Sequence, residues 1–113
     1  MSDTSPVLVY MTAADPQEAE KIGETLVRQK LAACINILNP MQSLFWWQNA
    51  VQSEQETVLL AKTQSGLVEQ LSDTVRKIHS YDCPCIVALP IVGGNPEFLD
   101  WIASETSSLQ ADS

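Results

Sequence analysis

Residues 32–63 read AACINILNPMQSLFWWQNAVQSEQETVLLAKT, and this stretch decides the fold. Residues 33–38 form a run of small and β-forming apolar side chains, closed by Asn39 and Pro40. Residues 58–61 form a second apolar run. Between them lie the aromatic segment 44–48, a plausible turn at Asn49 and Ala50, and the polar segment 52–57. The pattern predicts a long antiparallel hairpin with an irregular centre. A turn or bulge is expected near 39–43, where proline cannot donate to a ladder.

Working outward toward the N-terminus, residues 7–11 are almost wholly apolar β-formers and read as a strand buried on both faces. Asp15 is placed to cap a helix, Pro16 suits its first position, and Glu18 follows Asp15 by three. Ala19, Ile22, Leu26 and Val27 then supply an apolar stripe. Glu18, Glu20, Lys21, Glu24 and Arg28 fall largely on the other faces, and the helix is expected to end near Leu31.

Toward the C-terminus, Ser65 is a candidate cap for a second helix, with Leu67, Val68, Leu71, Val75 and Ile78 as its stripe. Residues 85–91 read as another strand, and Pro90 places it at an edge or bulge. Gly93 and Gly94 mark a turn, and Asn95 with Pro96 starts a short helix carrying Phe98, Leu99 and Ile102. Residues 1–6 and 107–113 read as loose tails around a single domain, 1–113, with its core at about 7–106. The element order predicts an α+β fold of the ferredoxin-like, split β-α-β type. Two helices would cover one sheet face. The other apolar face then needs a cover, and oligomerisation is the simplest one.

Composition narrows the function. The 113 residues carry six basic against fourteen acidic side chains, a net charge of -8. Binding to nucleic acid or to an anionic membrane needs clustered Lys and Arg, so neither is expected. Residues 1–6 lack the charged and apolar regions of a secretory signal, and no apolar run reaches membrane-span length. Three cysteines cannot all pair within one chain. A reducing cytoplasm is therefore the expected location.

Cys83-Pro84-Cys85 is the first candidate for chemistry. Two thiols one residue apart can serve one soft metal ion, although they supply only half of a closed zinc site. The alternative is that both are small buried hydrophobes at a strand start. Cys34, among small apolar residues, reads as core. His79 stands at a helix end, where it can meet the helix dipole or act as a ligand or base. Glu54 and Glu56 share one strand face, as a solvated pair or as hard donors to a cation. Trp46 and Trp47 point oppositely, so one is expected in the core and the other exposed or at an interface. Lys62 either meets an anion at a cleft or simply snorkels. No phosphate loop, dinucleotide fingerprint or nucleophile elbow is present.

Several of these elements recur together in one order. They are Thr12 with Asp15, then Lys30-Leu31-Ala32-Ala33-Cys34-Ile35-Asn36-Ile37, then Pro40, Ser43, Trp47 and Glu54. Lys62-Thr63, His79-Ser80-Tyr81, Pro84, Pro90, Gly94 and Leu99-Asp100-Trp101 follow. Over about residues 7–102 the chain resembles the CutA divalent-cation-tolerance family. The resemblance implies a tight homotrimer with a PII-like architecture, linked to tolerance of divalent cations and of copper above all. It implies a cleft between subunits where Trp47, Glu54, Lys62, His79 and Tyr81 cluster. Three positions depart from the family pattern: Ser80 replaces a proline, Cys85 a glutamate, and Met11 stands where some members have cysteine. Met11, Cys83 and Cys85 thus become candidate soft ligands, with Glu54 and His79 as further metal donors.

Three functions follow. The first is a metal-responsive homotrimer that binds copper or other divalent cations, none of them obligatory, rather than an enzyme. The second is a PII-like sensor holding a small molecule between subunits, with Trp47, Lys62 and His79 suited to an anion. The third is an enzyme with His79 as base and Glu54 as acid or metal ligand.

Overall fold

A computed structural model describes residues 2–107. Among them lie four strands and three helices. These are β1 (Pro6–Ala13), α1 (Pro16–Arg28), β2 (Cys34–Trp47), β3 (Ala50–Gln64), α2 (Val68–Ile78), β4 (Ile86–Pro90) and α3 (Pro96–Glu105). The sheet order is β2-β3-β1-β4, with every neighbouring pair antiparallel. Each helical crossover skips one strand, which is the split β-α-β arrangement expected from the sequence.

The α1 start follows its local signal. Asp15 Oδ1 accepts from the Glu18 backbone N–H at 2.8 Å, and Glu18 Oε1 accepts from the Ala14 N–H at 3.0 Å. The end comes earlier than Leu31. Lys30 adopts φ 60°, Lys30 N–H donates to the Val27 carbonyl, and Leu31 N–H to the Leu26 carbonyl. These two bonds make a Schellman stop, with a lysine where glycine is usual. Buried Ala19, Ile22 and Leu26 form the stripe as expected, whereas Val27 is exposed. Gly23 lets α1 approach the sheet: a Cβ there would lie 3.2 Å from Ile35 Cγ2.

Strand parity organises the core. Val7, Val9 and Met11 of β1 face the helices and are buried, as are Leu59 and Ala61 of β3, Leu26 of α1, and Leu71 and Val75 of α2. Leu8 and Tyr10, on the opposite face, are only half-buried. The expectation that β1 is closed on both faces therefore fails for the single chain, because both covering helices lie on one side. Leu38, Val87 and Leu89 are exposed, on strand positions that alternate with the helix-facing ones.

The long antiparallel hairpin is present as expected, over Cys34–Trp47 and Ala50–Gln64, and its ladder continues through the polar segment 52–57. It turns at Gln48 and Asn49, both at positive φ, one residue before the expected turn. Its single irregularity falls between Leu38 and Met41, around a cis Asn39–Pro40 peptide. Thr57 Oγ1 donates to Asn39 Oδ1 at 2.8 Å across this bulge. The distal half projects from the body and gives the molecule its extents of 47 × 27 × 22 Å. Trp46 and Trp47 are 75% and 60% exposed there, so neither enters the core.

Two local readings are corrected. Ser65 does not cap α2; it starts a 3-10 turn, Ser65–Leu67, and its hydroxyl donates to the Ser2 carbonyl. Residues 2–5, expected as part of a loose tail, form a turn held by Ser65 N–H to Ser5 and Gly66 N–H to Asp3, both 2.8 Å. In the C-terminal tail, residues 108–113 lie outside the described residues.

Candidate functional site

A cleft of about 760 Å³ opens between the hairpin and the segment that joins α2 to β4. Alternation along β3 points Gln52, Glu54 and Glu56 into it, and Tyr10 and Thr12 enter from β1. Phe45 and Trp47 come from β2, and Tyr81, Asp82, Cys83 and Cys85 come from the joining segment. Trp47, Glu54, Tyr81, Cys83 and Cys85 are thus brought together as candidate site residues.

The joining segment is held by a small polar network. The ring of His79 is buried, with 1% of its side chain exposed. Its Nε2 lies 2.8 Å from the Thr12 carbonyl, and its Nδ1 accepts the Tyr81 backbone N–H at 3.0 Å. Those partners place the proton on Nε2. Both nitrogens are therefore engaged within the protein, and His79 positions Tyr81 rather than facing the cleft. This removes the open nitrogen that a base or metal ligand at His79 needs.

Glu18 completes the network from α1. Its Oε2 accepts the Ser80 backbone N–H at 2.8 Å. Burial pushes the Glu18 carboxyl up, but the bonds from Ala14 and Ser80, with His79 nearby, hold it below its ordinary value. A proline at position 80 has no N–H to give. The departure at Ser80 is what permits this bond.

In the cleft, the Tyr81 hydroxyl donates to Glu56 Oε2 at 2.9 Å. Burial raises its pKa, and Glu56, Glu54 and Glu18 raise it further, to about 12. Burial also pushes the Cys85 thiol up, with Glu56 adding to the effect. Glu56, paired with Glu54 in the sequence as a solvated residue or a cation donor, is the carboxylate that holds Tyr81 in the cleft. Its spacing of two from Glu54 was the available signal.

Met11 and Lys62 are not in the cleft. Met11 is 1% exposed and packs on the helix-facing side of β1, so it cannot join Cys83 and Cys85 on the opposite side. Lys62 Nζ lies 3.5 Å from Cys34 Sγ and donates to Asn36 Oδ1, farther along the sheet. Cys34 is half-buried beside it, while Cys83 and Cys85 are exposed free thiols, which overturns their reading as buried hydrophobes.

A metal site can be tested against this donor set. Among the described residues, no three His, Cys, Asp or Glu side chains converge as a metal-holding group. A hard divalent cation, which needs several oxygens at once, is poorly matched. Two sulfurs are the kind of donor pair that a soft copper(I) ion accepts.

The family profile described as CutA1 divalent ion tolerance protein matches residues 7–105. The divalent-cation tolerance protein CutA of Archaeoglobus fulgidus is 45% identical over 94 residues, covering 83% of this chain and 91% of that protein. The chloroplastic CutA 1 of Oryza sativa is 37% identical over 106 residues; the match takes in 93% of this chain but only 60% of that relative. The solved structure described as a periplasmic divalent cation tolerance protein CutA, from A. fulgidus, matches with a TM-score of 0.88 at 41% identity. That match covers 90% of this chain and 99% of the other. The solved divalent cation tolerance protein of Thermus thermophilus gives 0.88 at 39% identity, with the same coverage. A profile spanning nearly the whole fold, and relatives matched from strand β1 to helix α3, establish that this chain belongs to the CutA1 divalent ion tolerance family.

Proposed function

We propose that this protein is a homotrimeric, cytoplasmic responder to metal ions that binds copper at Cys83 and Cys85. The observation carrying the reading is the placement of two exposed thiols, one residue apart, in a cleft lined by Glu54, Glu56 and Trp47. The relatives named for divalent-cation tolerance support the metal response. Copper(I) is the form that the two sulfurs favour. Free thiols suit a reducing compartment.

Assembly rests on exposed apolar surface. Trp46, Leu44 and Val51 stand open on the distal hairpin, and Leu38, Val87 and Leu89 on the sheet. Surface of this kind calls for a partner. A two-stranded ribbon is also marginally stable alone. Self-association in a PII-like trimer covers both and places neighbouring subunits beside the cleft.

The test is a copper(I) competition titration of the reduced protein, with mass followed by light scattering. The expected result is a species of three chains with stoichiometric binding that is lost in Cys83→Ser/Cys85→Ser. Binding no tighter than to an unrelated acidic protein would overturn the metal reading. The size and aromatic walls of the cleft favour one second reading, a small-molecule sensor. It predicts a ligand that raises Tm at constant metal.

A further inference from the structure

Cys34 and Lys62 stand opposite each other at the base of the hairpin, in register on β2 and β3. Directly opposed residues of an antiparallel pair put their side chains on one sheet face, about 4.5–5.5 Å apart at Cβ. Here the lysine folds back over its partner: Nζ donates to Cys34 Sγ at 3.5 Å and also to Asn36 Oδ1. Lys62 takes part in no ion pair among the described residues. The side chain expected to meet an anion at a cleft is instead committed to a thiol and an amide. The backbone beneath it is held on both sides. Lys62 also pairs with Leu8 of β1, and its carbonyl accepts the Ala33 N–H at 2.8 Å. Both Cys34 and Lys62 are half-buried. Cys83 and Cys85 have no such neighbour: among the described residues their cleft is lined by Glu54, Glu56 and Asp82 and by no lysine.

We propose that Cys34 and Lys62 form a peroxide-responsive modification site, in which oxidation of the thiol is followed by a covalent S–N bond to the lysine nitrogen. In the first step the Cys34 sulfur attacks hydrogen peroxide. The O–O bond breaks and an S–O bond forms; the sulfur is oxidised to a sulfenic acid and the peroxide is reduced to water. In the second step Lys62 gives one proton to solvent and its nitrogen attacks the sulfur. The S–N bond forms, the S–O bond breaks, and the hydroxyl leaves as water with a second proton from the nitrogen. A backbone nitrogen captures a sulfenic acid in the same way. The separation of 3.5 Å falls in the near-attack range of about 3–3.5 Å, and the flexible lysine stem supplies the remaining movement. The product ties β2 to β3 and removes one positive charge. Thiols reverse it: one displaces the amine to leave a mixed disulfide, and a second releases Cys34. None of the residues of the copper reading takes part.

The test is peptide mapping of the reduced full chain after treatment with hydrogen peroxide. A glutamate-specific protease cuts at Glu54 and Glu56, between the two residues, and leaves Cys83 and Cys85 on a separate peptide. The expected product is the Cys34 peptide joined to the Lys62 peptide, about 2 Da lighter than their sum and split by dithiothreitol. Lys62→Arg keeps the charge beside Cys34 but not the nucleophile. In that variant the linked pair should be lost and the sulfenic acid should be trapped by a 1,3-diketone. Unfolding the parent in urea before adding peroxide should also abolish the linked pair, because the held geometry is gone. That control needs no variant. Recovery of Cys34 only as a sulfenic or sulfinic acid in the folded parent would overturn the proposal. So would an unoxidised Cys34 while Cys83 and Cys85 react, or a linked pair formed equally in the unfolded chain.

Discussion

Tyr81 donates its phenolic hydrogen to Glu56 Oε2 at 2.9 Å, tying the segment after α2 to the middle of the β3 strand. The burial around it and the bond favour the protonated phenol and hold its pKa up at about 12. A raised value means that Tyr81 contributes stability fully present below the ordinary tyrosine pKa of 10.0. That contribution is lost as pH rises through about 12. An ultraviolet titration, with Tyr81→Phe to assign the signal, should show one late phenol. Glu56→Gln should bring it back toward the ordinary value by removing the charge. An unchanged late phenol in that variant would contradict the role of Glu56.

Glu18 and Ser80 give the opposite sign. The carboxyl is held low, so its contribution is present above the ordinary carboxylate range and lost as pH falls through the lowered value. Ser80→Pro removes the donated N–H. His79 already has extended backbone angles, φ -81° and ψ 145°, that a following proline accepts. The lost bond to a charged group costs about 1.5–3 kcal/mol, offset by about 0.4–1 kcal/mol from a stiffer unfolded chain. Denaturant melts at neutral pH should show net destabilisation, and the gap from the parent should shrink in acid. Ser80→Ala, which keeps the backbone donor, should change stability less.

Lys30 holds a left-handed conformation at the stop of α1. Left-handed geometry costs a residue with a Cβ about 1–2 kcal/mol. The ion pair of Lys30 with Glu105 is 3.4 Å long and partly exposed, so it offsets little. Lys30→Gly should therefore raise the unfolding free energy by a fraction of that cost, about 0.5–1 kcal/mol after the added chain entropy of glycine. Thermal unfolding measures it, and a fall in Tm would contradict the assignment.

Thr57 is fully buried, and its hydroxyl donates to Asn39 across the hairpin bulge. Thr57→Val keeps the shape and leaves the Asn39 oxygen without this partner. Asn39 is exposed and can turn to water, so a loss of about 0.5–1.5 kcal/mol is expected in a denaturant melt. A neutral result would mean that the bond does not secure the bulge.

The sequence made legible what is decided locally or by periodicity. Asp15, Pro16 and Glu18 announced α1 because a helix start is satisfied by its own first turn. The order of apolar runs announced the sheet, and Pro90 announced the β4 edge. What lay hidden depended on distant partners. Ser65 looked like a cap, but its hydroxyl is taken by Ser2. Met11 looked like a ligand beside two thiols, but strand parity turns it to the helices. His79 looked open, but Thr12 and the Tyr81 backbone occupy both ring nitrogens. Trp46 and Trp47 looked divided between core and surface, but the hairpin carries both beyond the body.

The central claim is that the thiols of Cys83 and Cys85 form a soft-metal site in the cleft. X-ray absorption at the copper edge, on reduced protein loaded with one copper(I) per chain, tests it most directly. Two sulfur scatterers in the first shell, replaced by lighter donors in Cys83→Ser/Cys85→Ser, is the predicted result. A first shell of nitrogen or oxygen alone in the parent protein would contradict it.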